Sequence, residues 1–223
     1  MARKLKPRIV AITLILAVMV LAVGTLPNGY LAVRTACKKD GGLRINETVF
    51  VPGYFYKGHA NRCLTCEEDV LSERFDYVDA NIRWTHPLTD KKGLYRYSLA
   101  TQGAPACKRW AESKEYASLR KKYASQTKCL VLLPIENPSP YVYEYRRIGV
   151  DGSFGTQLSL TELKISNVET STTLATYRRY GYVSWLDDLL YEKPAYRWQC
   201  ELPKYKNILN WFRTDVLRDP SKR

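Results

Sequence analysis

The sequence predicts an α+β fold: a mainly antiparallel sheet flanked by two or three helices and preceded by one N-terminal transmembrane helix. Three observations support this prediction. An uncharged apolar run fills residues 9–26, short alternating segments bounded by Gly and Pro recur beyond it, and a few amphipathic segments separate them. The chain therefore divides into a cytoplasmic basic tail at 1–8, the apolar run at 9–26 and an extracytoplasmic α+β domain at 27–223.

The apolar run Ile9–Leu26 is long enough to cross a bilayer, because about 18–20 apolar residues span the hydrocarbon core. Four cations and no acid precede it, which by the positive-inside rule keeps the N-terminus in the cytoplasm. These cations are Arg3, Lys4, Lys6 and Arg8. The alternatives are a signal peptide cleaved at Ala22-Val23-Gly24, for which the run is long, and a buried core helix. The anchor and the signal peptide would both export residues 27–223.

All six cysteines lie beyond the apolar run, on the side predicted to be oxidising. An even number in an exported chain predicts disulfide bonds, although six cysteines allow 15 pairings. The candidates are Cys37, Cys63, Cys66, Cys107, Cys129 and Cys200. The pairing stays open, with one condition. A single helix over 108–125 would be about 27 Å long, so Cys107 and Cys129 can pair only if that helix breaks.

After the apolar run come Cys37, Lys38-Lys39-Asp40-Gly41-Gly42, Ile45 and Thr48-Val49. This order resembles a pattern in uncharacterised bacterial proteins that are exported or membrane-anchored. The resemblance covers residues 37–49 and carries no known activity. It implies a bacterial, extracytoplasmic setting. Together with the apolar run, this predicts a single-pass protein of the bacterial inner membrane with its C-terminal domain in the periplasm or outside the cell.

The first elements of the domain are short. Extended pieces between Leu43 and Phe55 are interrupted at Pro52-Gly53. Apolar residues at helical spacing predict a helix over 64–76, with acidic residues in its first turn. The alternating segments 77–84 and 94–100 predict a β-hairpin.

The rest of the domain is predicted to be mostly β after one more helix. Residues 105–125, rich in Ala, Lys, Glu and Arg, predict that helix. The continuous apolar run 129–135 predicts a strand buried on both faces. Further strands are predicted at 141–146, 157–168, 172–184 and 196–200. A helical turn at 185–191 and an amphipathic helix at 203–217 close the domain.

The motif Cys63-Leu64-Thr65-Cys66 is the strongest candidate for chemistry. A cysteine at a helix N-terminus has a stabilised thiolate, and a partner three residues on can resolve a mixed disulfide. Three features oppose a redox role. Asn61-Arg62 replace the expected aromatic residue, no βαβ unit is evident, and acids at 67–69 would raise the thiol pKa. A structural role predicts bonds to other cysteines, whereas a redox role predicts a Cys63–Cys66 bond.

Other catalytic or metal sites have weaker support. Zinc could combine the Cys63–Cys66 motif with His59 and His86, but the second ligand pair of a structural site is missing. Glu67 follows the motif where a haem attachment site requires histidine. Neighbours such as Asp187-Asp188 point apart and are predicted to lie in a solvated turn or cap. The sequence thus predicts no cofactor and no metal.

The exported domain is basic. Without the cations of residues 1–8, thirty-one basic and twenty-two acidic residues remain, a formal charge of +9. This charge provides solubility or attracts anionic lipid and cell-wall polymers. The basic residues form scattered pairs, so the long run of a nucleic-acid arm is missing. Tyrosines at alternate positions, as at Tyr141, Tyr143 and Tyr145, form either a binding platform or ordinary cross-strand packing.

These observations predict a membrane-anchored extracytoplasmic binding or assembly factor of unknown ligand, without enzymatic activity. Its partners would be the lipid bilayer, through residues 9–26, and an anionic surface or a protein of the bacterial envelope. The alternative is a membrane-tethered thiol–disulfide oxidoreductase that uses Cys63 and Cys66.

Overall fold

The computed structural model describes residues 7–58, 63–152, 156–182, 198–200 and 208–218. Within them the protein is mixed α+β, with a mostly sheet body and five helices. The helices are α1 (Pro7–Asp40), α2 (Leu64–Leu71), α3 (Lys108–Glu112), α4 (Ala117–Lys122) and α5 (Ile208–Val216). The strands are β1 (Gly42–Ile45), β2 (Val49–Phe50), β3 (Gly53–Lys57), β4 (Tyr77–Ile82), β5 (Gly93–Thr101), β6 (Lys128–Pro134), β7 (Tyr141–Asp151), β8 (Gln157–Asn167), β9 (Thr172–Tyr182), β10 (Trp198–Gln199) and β11 (Leu217–Arg218).

The chain divides into two compact units. Unit 1 comprises Met1–Gly42, Arg147–Thr161 and Arg178–Leu202. Unit 2 comprises Leu43–Arg146, Glu162–Tyr177 and Pro203–Arg223. The division falls within β7, β8 and β9, so each of these strands contributes residues to both units.

Nine of the described strands form one sheet. Its order is β1-β9-β8-β7-β3-β4-β5-β6, with β10 also paired to β9. The pairs β4–β5, β5–β6 and β9–β10 are antiparallel. Strand β3, however, is parallel to both of its neighbours, β4 and β7. The antiparallel arrangement predicted from the sequence thus has an exception at β3.

The parallel pair β3–β4 is connected through α2, which makes a βαβ unit. The sequence-based objection that no such unit surrounds the Cys63–Cys66 motif is therefore wrong. Its three elements were predicted individually, but their pairing joins residues 53–57 to residues 77–82 across the intervening helix. Local patterns do not encode that pairing.

The single helix predicted over 105–125 is also wrong. At Ser113 the backbone is extended, with φ −69° and ψ 122°, and the chain restarts in a 3₁₀ turn, Lys114–Tyr116. The Arg120 guanidinium donates to the backbone carbonyls of Trp110 and Ser113, the latter at 2.7 Å. Helix-end carbonyls lack intrahelical partners, so this side chain stabilises the break by satisfying them.

Several boundaries and one environment differ from the predictions. The hairpin of 77–84 and 94–100 is confirmed as β4 and β5, and the helix over 64–76 ends early, at Leu71. Strand β6 was expected to be buried on both faces. It lies at one end of the strand order, and its Leu133 is 46 % exposed. An edge position explains that exposure, because one side of the strand has no neighbour in this order.

Helix α1 contains the predicted membrane segment 9–26. The structure describes four side chains of that segment, of which Ile12, Ile15 and Leu16 are exposed. No helix among the described residues has both the length and the apolar character that a bilayer crossing requires. The other side chains of 9–26 lie outside the described residues, so the membrane anchor stays a prediction. Other predicted features also lie wholly or partly outside them: His59, Asn61-Arg62, the turn 185–191 with its pair Asp187-Asp188, and parts of the predicted segments 196–200 and 203–217.

Candidate functional site

All six cysteines form disulfides, as predicted. The pairs are Cys37–Cys200, Cys63–Cys66 and Cys107–Cys129. The third pair satisfies the condition set by helix length, because the break at Ser113 removes the 27 Å rod that would have kept the two cysteines apart. The Cys63–Cys66 pair joins the two cysteines of one motif. A structural role had predicted instead that each of them bonds to a cysteine elsewhere in the chain.

The Cys63–Cys66 bond lies at the start of α2. Cys63 is the N-cap residue, and its Sγ accepts the backbone N–H of Cys66 at 3.1 Å. The pairing matches the redox prediction, but Cys63 and Cys66 are only 4 % and 0 % exposed. Exchange begins with thiolate attack on a disulfide sulfur, so this burial opposes the chemistry that the pairing favours.

The residue after the motif, Glu67, belongs to a buried polar network. The Tyr116 hydroxyl donates to Glu67 Oε1 at 2.7 Å, and His86 Nε2 lies 3.9 Å from the same oxygen. His86 Nδ1 accepts the Leu88 N–H at 3.2 Å. This leaves the ring proton on Nε2, which faces the Tyr97 hydroxyl at 3.1 Å. We call Glu67, His86, Tyr97 and Tyr116 the Glu67 network; it ties α2 to β5 and to the broken-helix segment.

Asp69, also on α2, forms a second buried network with α5. Arg213 donates to its carboxylate from Nε at 2.9 Å and from Nη2 at 3.3 Å, and the Tyr54 hydroxyl donates at 2.7 Å. The Arg213 guanidinium also lies 5.2 Å from the ring centre of Tyr143. Burial raises the pKa of Tyr143 to about 12, although the Arg213 charge acts in the opposite direction. We call these four residues the Asp69 network.

Tyr54, Tyr97 and Tyr143, on β3, β5 and β7, are buried in the core of unit 2. The Tyr54 and Tyr143 rings meet edge to face with centroids 6.1 Å apart. At these positions the tyrosines pack inside the protein and do not form an exposed platform.

A small cavity lies beside Cys63. It has a volume of about 160 Å³, and its lining includes Lys57, Arg83 and Tyr97. The Nζ of Lys57 lies 3.9 Å from Oε1 of Glu144. Cavities that hold drug-sized ligands have volumes of about 300–1,000 Å³. The space beside the motif therefore suits a small group and is too small for a large substrate.

The zinc site considered from the sequence is not assembled among the described residues, and its fourth ligand, His59, lies outside them. Cys63 and Cys66 are bonded to each other, so neither offers a thiolate, and His86 belongs to the Glu67 network. Within the part of the chain that the structure describes, no three His, Cys, Asp or Glu side chains are grouped to hold a metal.

A second candidate site lies in unit 1, on the C-terminal half of α1. There Ala32 and Val33 are buried in a cluster that also contains Leu160 and Tyr180. The Cys37–Cys200 bond joins this half of the helix to residues 163 positions later. The end of α1 is thus both packed and covalently fixed within unit 1.

Next to that bond is a larger cavity of about 570 Å³. Tyr30, Arg34 and Lys38 line it from α1, and their spacing of four residues places them on one helix face. Gly41 lies at its edge, where a Cβ would approach the Cys37 carbonyl oxygen to 2.8 Å. The remaining lining residues are Val33, Cys37, Gly42, Gln199 and Cys200. Sequence reasoning missed this site, although the four-residue spacing immediately after the apolar run was a usable signal.

Comparison with protein-family models, with curated proteins and with solved structures finds no match to this chain.

Proposed function

We propose that the protein is a non-enzymatic binding or assembly factor, held at the bacterial inner membrane by residues 9–26 with its domain on the extracytoplasmic side. One observation carries the proposal: α1 is a single helix that starts at Pro7, includes the whole apolar segment and ends fixed by the Cys37–Cys200 bond. A domain attached in this way stays beside the membrane surface.

The dimensions of α1 support a position close to the bilayer. Cys37 follows Leu26 by eleven residues, which is about 16 Å along a helix. Ile12, Ile15 and Leu16 are exposed in the protein, as side chains that meet lipid would be. The formal charge of +9 on the exported residues favours an anionic partner at that surface.

The buried motif supports a non-enzymatic role. Its two sulfurs lie inside the core of unit 2, and Glu67 and Asp69 are engaged in the two buried networks. These contacts fix α2 against its neighbours. In this proposal the Cys63–Cys66 bond closes the first turn of α2 and serves the fold.

The test of location uses the full chain with an epitope at each end, produced in a Gram-negative host. After alkaline carbonate extraction both epitopes should remain in the membrane pellet. Protease added to spheroplasts should remove only the C-terminal epitope. Recovery of a soluble chain that has lost its N-terminal epitope would identify residues 9–26 as a cleaved signal peptide and overturn the anchor.

The second candidate function is thiol–disulfide exchange, favoured by the Cys63–Cys66 bond at the helix start of a βαβ unit. A substrate thiolate would attack one sulfur of the bond, form a mixed disulfide and release the other cysteine as a thiolate. A second substrate thiolate would then displace the enzyme sulfur. The substrate leaves as a disulfide with the loss of two electrons, and Cys63 and Cys66 become thiols.

Reducibility separates the two candidates. The folded protein is treated with a dithiol, its free thiols are alkylated, and the modified cysteines are identified by mass spectrometry. The binding proposal predicts that Cys63 and Cys66 are labelled only after a denaturant is added. Labelling within minutes in the native protein, together with oxidation of a dithiol peptide that Cys63→Ser abolishes, would establish the redox function instead.

A further inference from the structure

We propose that the cavity beside the Cys37–Cys200 bond binds the anionic headgroup of a phospholipid through Arg34 and Lys38. The inference deepens the proposed function and rests on it, since it requires α1 to hold unit 1 at the membrane. It names a site and a ligand class for a protein whose sequence indicated only a general attraction to anions.

The charge of the cavity is the first argument. Arg34 and Lys38 both line it, and neither forms an ion pair with any residue that the structure describes. No carboxylate is among the described lining residues. The nearby acid, Asp40, is engaged by Arg178 and by the Tyr180 hydroxyl at 3.2 Å. Within the described lining, the cavity therefore presents two positive charges without a carboxylate, which match a phosphate group.

The depth of the residues is the second argument. Headgroup regions add about 5–8 Å to each side of the hydrocarbon core. Tyr30 lies about 6 Å beyond Leu26 along α1, and Arg34 about 12 Å. Helical side chains lean toward the N-terminus, so the Arg34 guanidinium extends back toward the bilayer. Lys38 follows one turn further out, about 18 Å beyond Leu26, so its long side chain has to extend back along the helix to reach the headgroup layer.

The shape and chemistry of the lining are the third argument. A volume of about 570 Å³ is in the range of cavities that hold small ligands. Val33 and the Tyr30 ring provide apolar surface near the membrane end, and Gln199 provides an amide for hydroxyl or phosphate oxygens. Tyrosine is also a residue type enriched at membrane interfaces. One lining thus combines an apolar part with a cationic part, as a lipid headgroup requires.

The test measures lipid binding to the full-length chain in a neutral detergent, with native mass spectrometry to resolve each bound lipid. The probes are phosphatidylglycerol, phosphatidylcholine and inorganic phosphate. The variant Arg34→Gln/Lys38→Gln removes the two cavity cations. The matched control is Lys91→Gln/Lys92→Gln, which changes the net charge equally at two exposed lysines of unit 2. Matching circular dichroism spectra and urea midpoints, with Cys37–Cys200 intact in every variant, control for loss of the fold.

We expect phosphatidylglycerol to bind more tightly than phosphatidylcholine and to resist millimolar phosphate. Each lysine or arginine near an anionic lipid surface strengthens binding by about fivefold, so the cavity variant should bind about 25-fold more weakly. The control should stay within twofold. Equal weakening of both variants, or equal affinity for the two lipids, would overturn the site. Displacement by phosphate alone would show that the ligand is a soluble anion and overturn the lipid assignment.

Failure of this inference is distinguishable from failure of the anchor. Carbonate extraction reports whether residues 9–26 stay in the membrane and does not depend on Arg34 or Lys38. The detergent titration reports on the cavity and does not depend on orientation in a cell. A wild-type chain that is retained in membranes but shows no preference for phosphatidylglycerol would contradict the lipid site alone.

Discussion

Replacing Arg213 with methionine should lower the free energy of unfolding by about 3–5 kcal/mol, the usual cost of breaking a buried ion pair by removing one partner. Arg213 and Asp69 are each 1 % exposed, so solvent cannot replace the lost contact. Asp69 would keep the Tyr54 hydroxyl at 2.7 Å and Arg74 at 3.6 Å. These remaining partners place the expected loss near the lower end, at about 3 kcal/mol.

The assay is urea unfolding of the oxidised full-length protein in detergent, followed by tryptophan fluorescence and by circular dichroism. The control is Arg109→Met, because Arg109 pairs with Asp90 at the surface and its loss should leave the midpoint unchanged. A second variant, Tyr54→Phe/Asp69→Leu/Arg213→Met, should recover part of the loss, since it leaves neither an uncompensated Asp69 carboxylate nor an unpaired Tyr54 hydroxyl in the core. A loss below about 1 kcal/mol in Arg213→Met, or a triple variant less stable than the single one, would refute the role assigned to the Asp69 network.

Three further predictions concern the fold. Folding raises the pKa of Tyr143 from 10 to about 12, so the full stabilisation by its neutral form is present below pH 10. Between pH 10 and 12 the free energy of unfolding should fall by about 1.4 kcal/mol per pH unit. Tyr143→Phe should reduce this slope in alkaline unfolding curves. Gly53→Ala should lower the free energy of unfolding in urea by about 1–3 kcal/mol, because its Cβ would lie 2.3 Å from the Tyr77 carbonyl oxygen. The control Gly149→Ala, whose Cβ would enter open space, should change it by less than about 0.5 kcal/mol. Cys107→Ser/Cys129→Ser should lower the free energy of unfolding by about 3 kcal/mol, the loop-closure value for a separation of 22 residues. An unchanged midpoint in urea unfolding would show that the bond does not reduce the conformational entropy of the unfolded chain.

The parts of the fold that the sequence predicted are those specified by local patterns. Alternation between 77 and 100 predicted the β4–β5 hairpin, because strands that are consecutive in the sequence usually pair with each other. The break at Ser113 had no such signal, since neither glycine nor proline stands there. It depends instead on Arg120 reaching back to the carbonyls of Trp110 and Ser113, a contact that exists only once the segment has folded.

The candidate sites show the same division. The Cys63–Cys66 motif could be found from its spacing, but its burial and its βαβ setting depend on strand pairing distant in sequence. The cavity of unit 1 is lined by residues from distant parts of the sequence. Gln199 and Cys200 lie beside Arg34 and Lys38, which are more than 160 positions earlier. Helical spacing could place Tyr30, Arg34 and Lys38 on one face. It could not show that a cavity faces them.

The Cys37–Cys200 bond connects the proposed location of the protein with its proposed binding site. The bond closes a separation of 163 residues, and the loop it removes from the unfolded chain is the longest of the three. Such a bond persists in an oxidising compartment and is reduced in the cytoplasm. Export would therefore fix the end of α1 within unit 1 and keep the cavity lining together, whereas a chain retained in the cytoplasm would lose the covalent link beside Arg34 and Lys38. On this argument the orientation predicted from the N-terminal cations is also the condition under which the headgroup site is held in place.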